Sequence, residues 1–268
     1  MESRPLPFVT LNDALLHFAD EGPRGAPTVL MLNSLGTDFR IWDAVTAALG
    51  PRFRIIRMDK RGHGLSSAAN PAPLIADYAL DAAALLDHLG VKSATVAGVS
   101  MGGLIAQELH RQRPDLVAAL LLSDTAVKIG NDETWGTRIG AIEKGGIASI
   151  ADAILQRWFA AVFRESRRDE FAGYRNMLIH QPQAGYLAAC RALMACDLRS
   201  HAGQIRVPTH CLVGEEDGST PPALVKETAG LIAHAGYTLI PGAGHLPCIE
   251  TPDIVAATIV DLAGRARP

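Results

Sequence analysis

The chain has 268 residues, 48% of them hydrophobic, a net charge of -3 and an isoelectric point near 6.3. That length suits one large domain, or one core with an insertion, and the apolar share is enough for a sizeable core. No basic stripe is present, so a nucleic-acid partner is not expected and a small molecule is.

Four cysteines, Cys190, Cys196, Cys211 and Cys248, fit neither a disulfide framework nor a C-x-x-C zinc pattern. The opening stretch MESRPLPFVTL lacks the apolar segment of a signal peptide. No run reaches the roughly 18 apolar residues of a membrane span. The expectation is a cytoplasmic protein with no membrane partner.

In chain order, short apolar runs alternate with helical patterns. Strands are predicted at 8–11, 15–19, 28–32, 54–58, 94–98, 118–123, 209–213 and 237–240. The first two sit close enough for an antiparallel hairpin. The later ones are near-continuous apolar runs, as expected of strands covered on both faces. Helical patterns at 78–89, 104–113 and 252–263 complete the alternation. It argues an α/β chain with a mostly parallel sheet and helices on both faces.

One segment breaks this rhythm. From about residue 125 to 202 no strand is evident. The segment 147–163 predicts one helix with Ile147, Ile150, Ile154, Trp158 and Val162 on a single face. Residues 185–198 read as another helix. A helical block between two strands of one sheet reads as an inserted cap. The division is 125–202 as cap, with 1–124 and 203–268 as core. Such a cap sits above the carboxyl ends of the strands, where open sheets bind ligands.

The stretch TVAGVSMGG places Ser100 between Gly98 and Gly102, at the exit of a strand and the entrance of a helix. This is G-x-S-x-G. A sharp strand-to-helix turn holds such a serine in a strained conformation with its hydroxyl clear of the sheet. The bland alternative is a glycine turn with a capping serine. A serine nucleophile needs a base. His245, in IPGAGHLPCIETP, follows the last strand in a glycine-rich loop. His63, in MDKRGHGLSS, is the rival, and its alternative role is to steady its own turn.

The imidazole in turn needs a carboxylate. LVGEEDGSTPP offers Glu215, Glu216 and Asp217. Asp217 lies deepest in the turn, before Gly218; Asp124 is the alternative acid. An oxyanion hole completes the set. Met101, next to Ser100, supplies one backbone N–H, and Leu35, in the NSLG loop after 28–32, the second. The order Ser100, Asp217, His245 is that of the α/β-hydrolase triad.

With NSLG, DKRGHGLS, GVSMGG, GEEDGSTPP and GAGH in order, the chain resembles the α/β-hydrolases over essentially its full length. Asn33-Ser34 replaces the His-Gly that most members carry at the oxyanion loop. LNSLGTDFRIWD resembles instead the 3-oxoadipate enol-lactonases of aromatic catabolism. That resemblance implies hydrolysis of a small carboxylated enol-lactone to 3-oxoadipate, with no metal and no organic cofactor.

It also implies a cap role for Trp135, packing on the lactone ring. Arg138, three residues on, shares a helical face and would reach the carboxylate. A core aromatic and a solvated arginine are the alternative. Trp158 and Phe159 are further candidates for the cap's underside, with packing as their other role. The rival functions are a small-molecule carboxylesterase or a carbon–carbon bond hydrolase, and, from another class, a non-catalytic ligand-binding member.

Overall fold

The computed structural model describes residues 7–67 and 72–266. The strands are β1 (Phe8–Leu11), β2 (Ala14–Glu21), β3 (Thr28–Leu32), β4 (Arg54–Met58), β5 (Ala94–Val99), β6 (Val117–Ser123), β7 (Thr209–Gly214) and β8 (Gly236–Ile240). They form one eight-stranded sheet in the order β1-β2-β4-β3-β5-β6-β7-β8. β1 and β2 are antiparallel, as is β2 against β4, and every later pairing is parallel. The expected mostly parallel α/β sheet is therefore present.

The hairpin turns on Asn12 and Asp13, both at positive φ (48° and 61°). Two left-handed residues match the twist of the flanking strands, and Asn and Asp tolerate that region. β5, whose sequence is ATVAGV, is buried along its whole length, while β1 and β8 alternate or lie open as edge strands do. Arg54 lies within buried β4, where its guanidinium meets Asp20 of β2 at 2.7 and 2.8 Å.

The helices are α1 (Asp43–Leu49), α2 (Ile75–His88), α3 (Met101–Gln112), α4 (Asp132–Gly145), α5 (Ala151–Trp158), α6 (Ala161–Ser166), α7 (Arg168–Ile179), α8 (Gln183–Ala195), α9 (Arg199–Ala202), α10 (Pro222–Leu231), α11 (Pro247–Glu250) and α12 (Pro252–Arg265). α2 packs on α3, which lies against β3, β5 and β6. α1 packs on α12, which lies against β5, β6 and β7. These pairs bury the central strands. No helix among the described residues is long and apolar enough to cross a membrane.

Helices α4 to α9 fill the interval between β6 and β7. Here one expectation fails. The segment 147–163 is not one helix. A 3-10 turn (Ile147–Ile150) leads into α5, the chain extends at Phe159 and Ala160, and α6 begins at Ala161. Ile147, Ile154 and Trp158 are buried as the periodicity demands, but Val162 is 68% exposed. The break has a tertiary cause. The Trp158 carbonyl, which a continuous helix would bond to the N–H four residues on, accepts the His245 N–H at 2.8 Å instead.

The switch in strand order lies between β4-β3 and β5, since the chain leaves β3 in one direction for β4 and returns on its other side for β5. A crevice opens beyond the carboxyl ends at such a point. The segment after β4 is pinned nearby by Arg61, whose guanidinium is held by both oxygens of buried Asp81 on α2. Asp81→Ala leaves that buried cation unpaired, and urea unfolding should show a loss of about 3–5 kcal/mol. A loss below about 1 kcal/mol would show that the pair does not hold this segment.

Candidate active site

Four successive parallel strands, β5 to β8, deliver Ser100, Asp124, Asp217 and His245 to the same edge of the sheet. Ser100 sits between β5 and α3 with φ 58° and ψ −119°. Its carbonyl accepts the Thr125 hydroxyl at 2.6 Å and its N–H donates to the Ser123 carbonyl at 2.9 Å. These bonds hold a backbone conformation that costs on the order of 1–3 kcal/mol for a non-glycine residue. The flanking glycines are required sterically: a Cβ on Gly98 would stand 2.3 Å from the Gly102 carbonyl oxygen, and one on Gly102 2.1 Å from that of Leu32.

His245, 1% exposed, points Nδ1 at Asp217 Oδ2 (2.9 Å). Asp217 also accepts the Thr220 hydroxyl at 2.6 Å and the amides of Ser219 and Thr220 at 2.7 and 2.9 Å. Burial works to raise the Asp217 carboxyl, but His245 and the Thr220 donors outweigh it and hold the group below the usual carboxylate range. Asp217 rather than Glu215 or Glu216 meets His245. The Glu216 carboxylate accepts the Ala161 N–H and that of Glu215 accepts the Gly242 N–H.

Asp124 is fully buried at φ 47°, and accepts the Ser123 hydroxyl and the Gly214 N–H. Burial, and then the neighbouring charge of Asp217, push its carboxyl well above the usual range. The two neighbouring carboxyls are thus pushed in opposite directions, Asp124 up and Asp217 down. The donor atoms of Asp124, Asp217 and His245 lie within 4.8 Å of one another, so this trio is the metal-competent cluster among the described residues. Their partners are each other, two hydroxyls and backbone amides, which makes the cluster a hydrogen-bond network.

The Ser100 hydroxyl makes no hydrogen bond to His245 among the described residues. Thus the structure joins His245 to Asp217 and brings Ser100 to the same edge, while the Oγ–Nε2 bond is not made here. The Met101 N–H heads the first turn of α3, where no intrahelical acceptor exists. The Leu35 N–H also has no acceptor among the described residues. His63 is fully buried, bonds its own turn, and has no contact with Ser100 among the hydrogen bonds described.

Helices α5, α7 and α8 pack over the loop of Leu35 and Gly36. A Cβ on Gly36 (φ 76°) would meet Leu178, Tyr186 and Trp158 at 2.7, 2.8 and 3.4 Å. Trp135 is 6% exposed, with its Nε1–H donating to the Ile129 carbonyl at 2.7 Å. The Arg138 guanidinium carbon lies 4.9 Å from the Trp135 ring centroid. Arg138 is half-buried, has no carboxylate partner among the described residues, and faces buried Tyr186, whose hydroxyl also lacks a partner. Tyr186, which joins Arg138 to the Gly36 loop, carries no motif in the sequence. Only helical spacing from other cap residues could have drawn notice to it.

A second cleft, of about 720 Å³, opens beside α7, with His17, Phe39, Asp59, Leu65, Tyr174 and Met177 in its lining. Ser100, Asp217 and His245 take no part in it. Asp59 is spent on His17 and two backbone amides, and the other lining acids meet arginines: Asp38 with Arg40, Asp43 with Arg57 and Glu170 with Arg167.

A model of the alpha/beta hydrolase family matches residues 7–258. The chain is 31% identical over 244 residues to 3-oxoadipate enol-lactonase 2 of Acinetobacter baylyi, covering 91% of each protein. It is 31% identical over 236 residues to a pimeloyl-[acyl-carrier protein] methyl ester esterase of Chromobacterium violaceum, covering 84% of this chain and 89% of that one. The solved enol-lactonase of Burkholderia xenovorans LB400 superposes with a TM-score of 0.93 at 36% identity, over 96% of this chain and 100% of that one. The chain belongs to the alpha/beta hydrolase family. It is a hydrolase, and its relatives act on lactones and esters.

Glu250 ties the His245 loop to the helix break, accepting the Gly244 N–H at 2.9 Å and the Ala160 N–H at 3.1 Å. Burial pushes its carboxyl up to about 7. The folded chain therefore holds this proton more tightly than the unfolded chain, whose carboxyl titrates near 4.5. The group's contribution to stability is complete below that value and is lost as pH rises through about 7. Melting temperature should fall between pH 5 and 8, and Glu250→Gln should flatten the fall. An unchanged slope would count against the assignment.

Proposed function

We propose that this chain is a serine hydrolase that opens 3-oxoadipate enol-lactone to 3-oxoadipate, in the cytoplasm, without metal or cofactor. Helices α4–α9 act as the cap over residues 125–202. The observation that carries the choice of substrate is Arg138. It is a half-buried cation on α4, without a carboxylate partner among the described residues, stacked on Trp135 and beside Tyr186. Tyr186 in turn abuts the loop that bears Leu35. A small substrate with a carbonyl at one end and a carboxylate at the other spans that arrangement.

In this reading Asp217 holds the His245 tautomer with the proton on Nδ1, so Nε2 has the lone pair. Ser100 turns its hydroxyl to Nε2, loses its proton and attacks the lactone carbonyl. The Leu35 and Met101 N–H groups stabilise the oxyanion, aided by the positive end of α3. Collapse breaks the ring C–O bond, and His245 returns the proton to the departing enolate. The enol stays tethered in the acyl-enzyme, and its tautomerisation to the ketone removes the internal nucleophile. Water deprotonated by His245 then releases the diacid and frees Ser100.

A neutral-ester carboxylesterase is the second reading, favoured by the similarity to the methyl ester esterase. Steady-state rates on fresh enol-lactone, p-nitrophenyl acetate and a ring-cleavage dienoate separate the readings. The lactone should lead in kcat/KM by at least about tenfold, in line with one charge-assisted contact. Equal or higher efficiency on neutral esters would sink the lactonase assignment. Ser100→Ala should lower kcat by on the order of 10⁴-fold or more. Arg138→Ala should raise KM for the lactone about 10- to 100-fold and leave the neutral ester unaffected. Equal effects on both substrates would refute the carboxylate role.

A further inference from the structure

We propose that Lys60 is a positioning residue for the oxyanion hole: its side-chain nitrogen grips the Ser34 carbonyl and so aims the Leu35 N–H at the reacting oxygen. The inference rests on the reading of Ser100 as nucleophile and Leu35 as oxyanion donor.

Lys60 follows β4 and is 3% exposed. Its Nζ donates to the Ser34 carbonyl at 2.6 Å and to that of Thr37 at 3.3 Å. No carboxylate lies within ion-pair distance of it among the described residues. Asp59 is occupied by His17 and backbone amides, and Asp38 by Arg40. A buried amine without an ion pair is costly, and burial lowers its pKa to about 7. Apolar packing could fill the same space at lower cost. Among the described residues, its side-chain bonds go only to the loop between β3 and the 3-10 turn at Phe39–Trp42.

The geometry of that bond matters. The Ser34 C=O and the Leu35 N–H belong to one peptide unit, and in a trans peptide they point in opposite directions. Whatever fixes the carbonyl fixes the N–H. The Ser34 oxygen accepts Lys60 Nζ, the Thr37 hydroxyl at 2.9 Å and the Thr37 N–H at 3.3 Å. Asn33 closes the same turn by donating from Nδ2 to the Thr37 carbonyl at 2.6 Å. With its carbonyl anchored on the core side, the Leu35 N–H is left without a protein acceptor among the described residues. A donor on the carbonyl also polarises the whole peptide, making its N–H a stronger donor. Oxyanion stabilisation depends on donors that need no reorganisation during the reaction, and Lys60 supplies that rigidity from beneath.

The test compares wild type, Lys60→Met and Lys60→Gln on p-nitrophenyl acetate, with melting temperature and circular dichroism of each. Both variants should keep KM within about twofold and lose kcat by about 10- to 100-fold, less than the loss from deleting an oxyanion donor outright. Gln should lose less than Met, because its amide can still give a neutral hydrogen bond. Inhibition by phenylboronic acid, a tetrahedral anion mimic, should weaken in step with kcat. A change confined to KM, boronate affinity unmoved by a fall in kcat, or loss of fold in both variants would make Lys60 a structural element and overturn the inference. Fluorophosphonate labelling keeps the two readings apart. An unlabelled wild type overturns the nucleophile reading and this one with it. A labelled, active wild type whose folded variants keep kcat within about twofold overturns the role of Lys60 alone.

Discussion

The hydrogen bond between His245 Nδ1 and Asp217 Oδ2, 2.9 Å long and shut away from solvent, organises everything around it. A charged carboxylate survives in such a place only if its oxygens are fully occupied. Thr220 supplies a hydroxyl and an amide, and Ser219 a second amide. A second buried carboxyl, Asp124, lies nearby, and burial together with the charge of Asp217 pushes it well above the usual carboxylate range. Nδ1 is committed to the carboxylate, which leaves Nε2 as the ring nitrogen without a partner among the described residues. One contact thus sets a charge, a tautomer and a ring orientation.

That contact unites two loops 28 residues apart in sequence, and the sheet alone does not hold them. The break between α5 and α6 does the stitching. The Arg157 carbonyl accepts the Gly218 N–H and the Trp158 carbonyl accepts the His245 N–H, while Glu250 and Glu216 take the N–H groups of Ala160 and Ala161. The helical insertion therefore serves two purposes. Its far side closes over the loop of Leu35, and its interrupted backbone fastens the segments that carry Asp217 and His245. Lys60 does the corresponding work on the opposite side, below that loop.

Much of this was legible in the chain. Strands covered on both faces announce themselves as apolar runs, so β3 and β4 are found to the residue. Gly98 and Gly102 announce a tight elbow because no other side chain clears the facing carbonyls. Asp217 could be singled out from its two acidic neighbours because the turn at Gly218 folds it inward. The helix break at Phe159 was not legible, since the apolar spacing runs through it undisturbed, and Val162 is stranded in solvent as a result. Trp135 was expected in the pocket. Its ring is buried, one edge tied to a carbonyl and Arg138 set against it, an arrangement that depends on how α4 meets its neighbours.

What the sequence by itself determined is local and periodic: strand positions, the strained serine between glycines, and the chain order of Ser100, Asp217 and His245. These follow from sterics and hydrophobic spacing within a few residues. What only the tertiary structure decided is which groups lose water together. The raised carboxyl of Asp124, the depressed amine of Lys60, the approach of Arg138 to Tyr186 and the broken helix all arise from burial against residues distant in the chain. Desolvation is a property of packed neighbours, and no short stretch of sequence contains it.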